Sequence, residues 1–587
     1  MSQHTDKSLP ELVHFGRDIC GDLAQAERRE WWLGNGRGAY AAGTIAGSLT
    51  RRYHGLLVAP VQPPLGRFLV FAKADATLHD GERAWPLFTN RWGDGSVTPD
   101  GYRHIESFRL EGRMPVWRFA VGDAIVEQRI WMEPGAHTTC VAWCLQPLLP
   151  HDTRLRQLRV KLLVNARDHH GNARPWDFNP IIEQERTQLK ISHPNWFKAY
   201  WRVAGGSLSS AHDWYENFDL PQERARGLHA VDTHLCAGEA SFELVPGNWV
   251  GVVASLDEAA SPYLLEQMRR FTAHDQGVLK RAQNSQAELS DAPDWVRQLL
   301  LAADSFVFAR PLPEVPEGES VIAGYPWFGD WGRDTMIALP GLTLATGRYD
   351  SALRILETFA RFVNQGMLPN VFPGAGEHAD YNSVDAALWY VEAWRAYFEA
   401  SGDRPALARA FPVLASIIDW HVRGTRYRIA QDAGDGLLYA GEPGVQITWM
   451  DAKIGDWVVT PRIGKPVEIN ALWYNALCSM ASFAHQLGEA DSYSRLAEQA
   501  RTGFARFVTP AGGLLDVLDG PDGDDASVRP NQIFAVSLPH SPLSAEQQAR
   551  VVEVCARELL GTYGLRSLAP AHADYRGRYA GGVWERD

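Results

Sequence analysis

The hydrophobic pattern changes character once along the chain. From about Tyr53 to Ser255, apolar and polar residues alternate over short runs broken by turn residues. The hairpin at 116–132 shows it: Trp117, Phe119 and Val121 alternate up to Gly122-Asp123, then Val126, Ile130 and Met132 alternate back. Similar runs at 68–76, 138–146, 157–164, 187–192, 197–204, 239–245 and 249–254 read as strands. So many short strands with turn signals between them predict an antiparallel β-sandwich. Ser261-Pro262 reads as N-cap and first turn of a helix running to about Arg281. After Ser290 the period becomes 3.6, which predicts helices near 293–309, 331–346, 350–365, 382–401, 405–424, 467–488, 490–508, 528–537 and 543–560. Long irregular connections follow every second helix, at 310–330, 366–381, 425–466 and 509–527. Helix pairs with short turns on one side and long loops on the other describe an α/α toroid whose long loops build a pocket at one face. The predicted fold is multidomain β plus α: a β-sandwich over 1–260, a helical linker over 261–290 and a toroid over 291–587.

Three of those long loops carry the candidate chemistry. GYPWFGDWGRDTMIAL (324–339) places Trp327, Asp330, Trp331, Arg333 and Asp334 around the entrance to an apolar helix. Indole faces beside carboxylates and a guanidinium fork suit a sugar, whose C–H face stacks and whose vicinal hydroxyls accept paired hydrogen bonds. The competing reading is an N-terminal Asp334 helped by the helix dipole, with Arg333 as its ion-pair partner. In HADYNSVD (378–385), Asn382 or Ser383 reads as an N-cap, which leaves Asp380 and Tyr381 to face the opening. Asp385 falls in the first helical turn, where a carboxylate complements the dipole. Asp451 sits in the longest loop between Trp449-Met450 and Lys453. Apolar neighbours raise a carboxyl's pKa and a lysine lowers it, so the sign stays open. Glu468 opens the helix EINALWYNAL, with a pocket role and a dipole role both available to it.

Composition narrows the partners. A formal charge of −13 and a pI near 5.8 argue against nucleic acid or an anionic membrane. Six scattered cysteines without a C-x-x-C fit a reduced, cytoplasmic setting. No apolar run reaches the length of a membrane span or a signal-peptide core. The WWLGNGRGAYAAGTIAGSLTRRYHGLLVAP stretch (31–60) holds six glycines, read as tight turns and close backbone approach rather than a phosphate loop. There is no H-E-x-x-H, P-loop or G-x-S-x-G, and the acidic DGPDGDDAS (519–527) lacks the EF-hand spacing, so it reads as a solvated turn.

GYPWFGDWGRDTMI, LPNVFP…ADYNSVDAALW, TWMDAKIGDWVVTPRIGKPVEINALWYNAL and WWLGNGRGAYAAGT…RRYHGLL together resemble the bacterial and archaeal type of glycogen debranching enzyme. That is the amylo-α-1,6-glucosidase family, related in its toroid to glucoamylases. The resemblance implies a β-sandwich followed by an (α/α)6 toroid, and inverting hydrolysis of α-1,6-linked glucose in branched α-glucans such as glycogen, limit dextrins or maltooligosaccharides. Asp451 falls on the family's general acid, and Trp331, Arg333 and Asp334 fall on the motif that holds the terminal glucose. No metal or organic cofactor is implied. The family continues past its WERD motif with a YHQG-type segment that carries the base in related eukaryotic enzymes, whereas this sequence stops at Asp587. Nine counted helices against the twelve of six pairs lead to the expectation of an incomplete ring, in which neither Glu585 nor Asp587 substitutes for the base. Two other functions compete: a glucan-binding protein without turnover, and a glycoside phosphorylase, which would need a basic cluster beyond Arg333 and Lys453.

Overall fold

The computed structural model describes residues 9–81, 83–146, 156–372, 374, 378–578, 580, 582 and 584. Two compact units emerge. The first comprises 1–310 with 324–329 and 373–377, and the second comprises 311–323, 330–372 and 378–587.

Two antiparallel sheets build the first unit. One runs in space from His14–Phe15 through Ile105–Glu111, Met114–Val121, Ala124–Met132, Thr138–Leu145, Trp249–Ser255, Lys198–Ala204 and Gln188–Ser192 to Ile181–Glu185. The other runs from Gly206–Asp219 through Val231–Leu244, Arg156–Asp168, Gly66–Asp80, Gly55–Gln62 and Tyr40–Thr44 to Glu30–Gly34. The predicted hairpin pairs Val121 with Ala124 across its turn. Its inward residues join one core that draws on both sheets, with Trp117, Trp131, Trp143, Trp201, Phe71 and Phe242 among the buried rings. Burial of rings this size is the main term holding such a sandwich together.

Three differences from the sequence reading have physical causes. The glycine-rich 31–60 stretch forms strands 30–34, 40–44 and 55–62, and Gly43 lies against the Trp31 indole, where a Cβ would come within 3.1 Å of the ring. The strand Gly206–Asp219 shows no clean alternation because it lies at a sheet edge, where most of its side chains meet water. The helices Leu264–Ser285 and Asp294–Phe306, read as a linker and as the first toroid helix, group with the sandwich unit. Val278, Leu279 and Ala282 of one pack on Leu300 and Leu301 of the other, and Arg113 donates to Asp275 at 3.0 Å and Asp304 at 3.1 Å. The first of these helices starts at Leu264 rather than beside Ser261.

Helical hairpins build the second unit. Gly332–Leu342 is followed by Tyr349–Ala360, Ala386–Ser401 by Arg404–Arg423, Val467–Leu487 by Tyr493–Phe504, and Phe534–Ser537 by Ala545–Leu559. These are four hairpins among the described residues. The turns inside the hairpins are short, and two use a left-handed glycine, Gly402 and Gly488, to end the first helix. Gly332–Leu342 and Val467–Leu487 both pack on Ala386–Ser401, so the first member of each hairpin faces inward. The second members are amphipathic: Tyr349–Ala360 buries Ala352, Ile355, Leu356 and Phe359 on one face. The α-helix at 332 ends at Leu342, short of the expected 346, and the chain continues through a 3-10 turn, Leu344–Thr346, to a left-handed Gly347. No helix among the described residues is long and apolar enough to cross a membrane.

Candidate active site

The loops that precede the inward helices are tied to one another by their backbones. Trp331 bridges Val371 and Val371 bridges Asp380. Gly332 N–H donates to the Asn370 carbonyl at 2.9 Å, and Asn370 N–H donates to that of Asp380 at 2.7 Å. Residue 332 must be glycine, since a Cβ would lie 2.1 Å from the Pro369 carbonyl oxygen. Val384 N–H then donates to the Ile447 carbonyl at 2.8 Å, which brings in the loop carrying Asp451.

On this frame sits a buried guanidinium with two carboxylates. Arg333 Nε donates to Asp385 Oδ2 at 2.7 Å and Nη1 donates to Asp451 Oδ2 at 3.2 Å. Arg333 Nη2 is buried and has no hydrogen-bond partner among the described residues. Ser383 Oγ donates to Asp385 Oδ1 at 2.6 Å and accepts from Ala386 N–H at 3.2 Å, so the serine both caps its helix and fixes the carboxylate. Burial disfavours a charged guanidinium, but Asp385 and Asp451 more than offset that and push Arg333 up. Asp334 is pushed above the ordinary carboxyl range by desolvation; Arg333 opposes the shift, while the negative charges of Asp451 and Asp385 reinforce it. Asp334 itself is exposed, in the first turn of the helix next to Arg333.

A second buried network holds the Asp451 loop. Arg462 forks onto both oxygens of Glu468, and its Nε donates to Asp516 Oδ2 at 2.8 Å. Asn531 Nδ2 donates to Asp516 Oδ1 at 2.8 Å, while Asn531 Oδ1 accepts from Trp449 Nε1 at 2.9 Å. Trp449 is two residues from Asp451, so the ion cluster is connected to the loop through one amide.

With this geometry in view, the comparisons with known proteins decide the family. Residues 301–587 match the family model described as amylo-alpha-1,6-glucosidase, and residues 29–251 match that of the glycogen debranching enzyme N terminal region. The chain belongs to the amylo-α-1,6-glucosidase family. The glycogen debranching enzyme of Saccharomyces cerevisiae is 23% identical over 398 residues, covering 52% of this chain and 26% of the yeast protein. The chain thus spans about a quarter of that relative's length. A crystal structure of a bacterial glucoamylase complexed with acarbose superposes with a TM-score of 0.52 over 95% of this chain and 80% of that one, at 11% identity. At that identity the likeness speaks for the fold, a glucoamylase-like one.

Set against the sequence reading, the structure brings Arg333, Asp334 and Asp451 together and adds Asp385. That aspartate does not merely complement a helix dipole; it is buried and paired with Arg333. Glu468 is not open to a ligand: Arg462 takes both its oxygens, and desolvation pushes its pKa up against the pull of that arginine. Asp330 is buried and accepts from Ser320 Oγ at 2.8 Å, so it serves the loop rather than the opening. Trp331 is half-buried at the N-cap of its helix. Tyr381 spends its hydroxyl on the Phe362 carbonyl at 2.8 Å, with Arg426 over its ring at 4.7 Å, while Asp380 is exposed. Lys453 donates to the Gly444 carbonyl at 3.0 Å. Trp449 is 39% exposed, two residues before Asp451 in the chain. Trp327 groups with the first unit, on Tyr53, Arg51 and Arg226.

Arg462, Asp516 and Asn531 escaped the sequence reading, and Asp385 reads there only as a carboxylate complementing the helix dipole. A lone arginine in the loop VVTPRIGKPVE followed by a glutamate could have flagged the first, since a buried arginine needs a carboxylate; nothing in the sequence marks Asn531. The turn at 519–527 is not simply solvated. Asp519, with Asp432 and Asp435, surrounds Lys465 Nζ at 2.7, 2.8 and 2.8 Å. Those three carboxylates are grouped closely enough for a metal ion, yet the lysine ammonium already supplies the positive charge. Glu585 and Asp587 lie outside the described residues.

Proposed function

We propose that this protein hydrolyses α-glucosidic bonds of branched α-glucans, with inversion at α-1,6 linkages, and that Asp451 is its general acid. One observation carries the reading. Arg333 is buried, spends two donors on Asp385 and Asp451, and keeps a third donor, Nη2, without a partner. A buried donor left unpaired costs about 1–3 kcal/mol, which a sugar hydroxyl would recover. In this reading Arg333 and Asp334 hold the terminal glucose, Trp449 offers a stacking face, and Asp451 protonates the leaving oxygen. Inverting hydrolysis also needs a carboxylate that activates water about 6.5–9.5 Å from the acid. The branched α-glucan as partner and a cytoplasmic setting belong to the same proposal.

Glucose release from a 6-O-α-glucosyl maltooligosaccharide, followed by NMR so that the first-formed anomer is seen, tests it. The expected product is β-glucose at a rate independent of phosphate. Asp451→Asn should slow release by at least about 10²-fold, as loss of a general acid does. Phosphate-dependent formation of a sugar phosphate would instead make the protein a phosphorylase. Tight glucan binding with no glucose release would make it a binding protein.

A further inference from the structure

The first unit contains a cavity of about 430 Å³ that the site above does not use. That volume falls within the roughly 300–1,000 Å³ of small-molecule sites. Every residue lining it belongs to the first unit. Its walls are unusually aromatic, and they are fixed. Trp32 lies 4.2 Å from Tyr40 in a stacked pair and 4.5 Å from Tyr325, while Trp327 meets Tyr53 edge-on at 6.3 Å. Trp327 remains 37% exposed, which leaves part of its indole for something else.

The polar groups of the lining are few and specific. Glu30 accepts from Arg51 Nε at 2.7 Å and faces His54 Nε2 at 3.4 Å. Thr50 N–H donates to His54 Nδ1 at 3.1 Å, so the neutral ring carries its proton on Nε2, toward Glu30. Burial alone would raise the Glu30 carboxyl, but His54 and Arg51 hold it at about 2. It is therefore a carboxylate at any working pH, and it disfavours a phosphorylated ligand. The other arginine of the lining, Arg113, is spent on Asp275 and Asp304.

Ring faces and a carboxylate–guanidinium pair match the two surfaces of a pyranose. We propose that this cavity binds a glucosyl unit of an α-glucan chain, as a second carbohydrate site carried wholly by the first unit. The choice of glucose among sugars rests on the function proposed above.

Calorimetric titration of the full chain with maltohexaose tests the proposal, with near-UV circular dichroism to show that each variant keeps its packing. Two binding events are expected. Trp327→Ala and Glu30→Gln, the second isosteric, should each weaken one event about tenfold or more, the loss usual for an aromatic or charged anchor. Arg333→Lys should weaken only the other event. A titration that loses its event in Trp327→Ala and Glu30→Gln but not in Arg333→Lys would keep the cavity and discard the Arg333 reading. The cavity proposal falls if folded Trp327→Ala and Glu30→Gln bind as the parent does. It also falls if the parent protein shows a single event that only Arg333→Lys removes.

Discussion

Arg333 does three things that no other side chain could do together: it fixes Asp385, reaches Asp451 and offers a third donor from the same plane. A lysine there keeps the charge and loses the fork. Arg333→Lys is expected to lower kcat/KM by about 10²-fold, with a higher KM as well as a lower kcat, because both the held sugar and the orientation of Asp451 suffer. Unchanged kinetics in a folded Lys variant would remove Arg333 from the site. At this scale much was legible. Arg333, Asp334 and Asp451 stood out because acids and aromatics recur in loops that follow alternate helices. Asp385 did not, since a carboxylate in a first helical turn already has a sufficient local explanation. Glu468 misled for the converse reason: its sequence position cannot show that Arg462, six residues earlier, occupies both its oxygens.

Among the elements, the long loop between the helices at 404–423 and 467–487 has the most demanding task, since it must present Asp451 without a helix of its own to hold it. Its anchor is side-chain chemistry: Glu468, Arg462, Asp516 and Asn531 in series, ending on Trp449. Asn531→Ala deletes the last link and removes one of the two donors on Asp516 Oδ1. We expect kcat/KM to fall roughly tenfold, the scale of one or two buried hydrogen bonds, with altered Trp449 fluorescence and intact far-UV circular dichroism. An Asn531→Ala enzyme with unchanged turnover and emission would show that the loop holds itself. The helices were legible within a few residues because their apolar faces repeat regularly. The anchor was not, because its members lie up to 82 positions apart and each alone is an ordinary polar residue.

For the molecule as a whole, acid should be a specific weakness. His137 and His234 in the first unit and His421 in the second are all brought down to about 4 by burial. For His234, Asp232 opposes that fall, while Arg167 and Lys73 add to it. Asn165 donates to His234 Nδ1 at 3.0 Å, which fixes the neutral ring. Between their ordinary value near 6.5 and about 4, the unfolded chain binds more protons than the folded one. Their stabilisation is therefore complete above pH 6.5 and drains away as pH falls, by up to about 1.4 kcal/mol per pH unit for each group. Urea midpoints should hold steady from pH 8 to 7 and fall from 6.5 to 5, above the carboxylate range, with a shallower fall in His234→Gln. A midpoint flat down to pH 5 would contradict this. The β-then-α order could be read from the change of hydrophobic period, but the division of the chain could not. The segments 324–329 and 373–377 return to the first unit from within the second, and no local pattern announces such a return.

That return has a consequence in time. A chain emerging from the ribosome delivers its sandwich strands first, yet Tyr325, whose ring lies 4.5 Å from Trp32, arrives only after part of the second unit has been made. The Gly374 carbonyl that accepts from Leu65 N–H at 2.8 Å arrives later still. The first unit therefore cannot finish folding in the order of its synthesis. It must wait, partly open along its aromatic wall, until translation has passed residue 377.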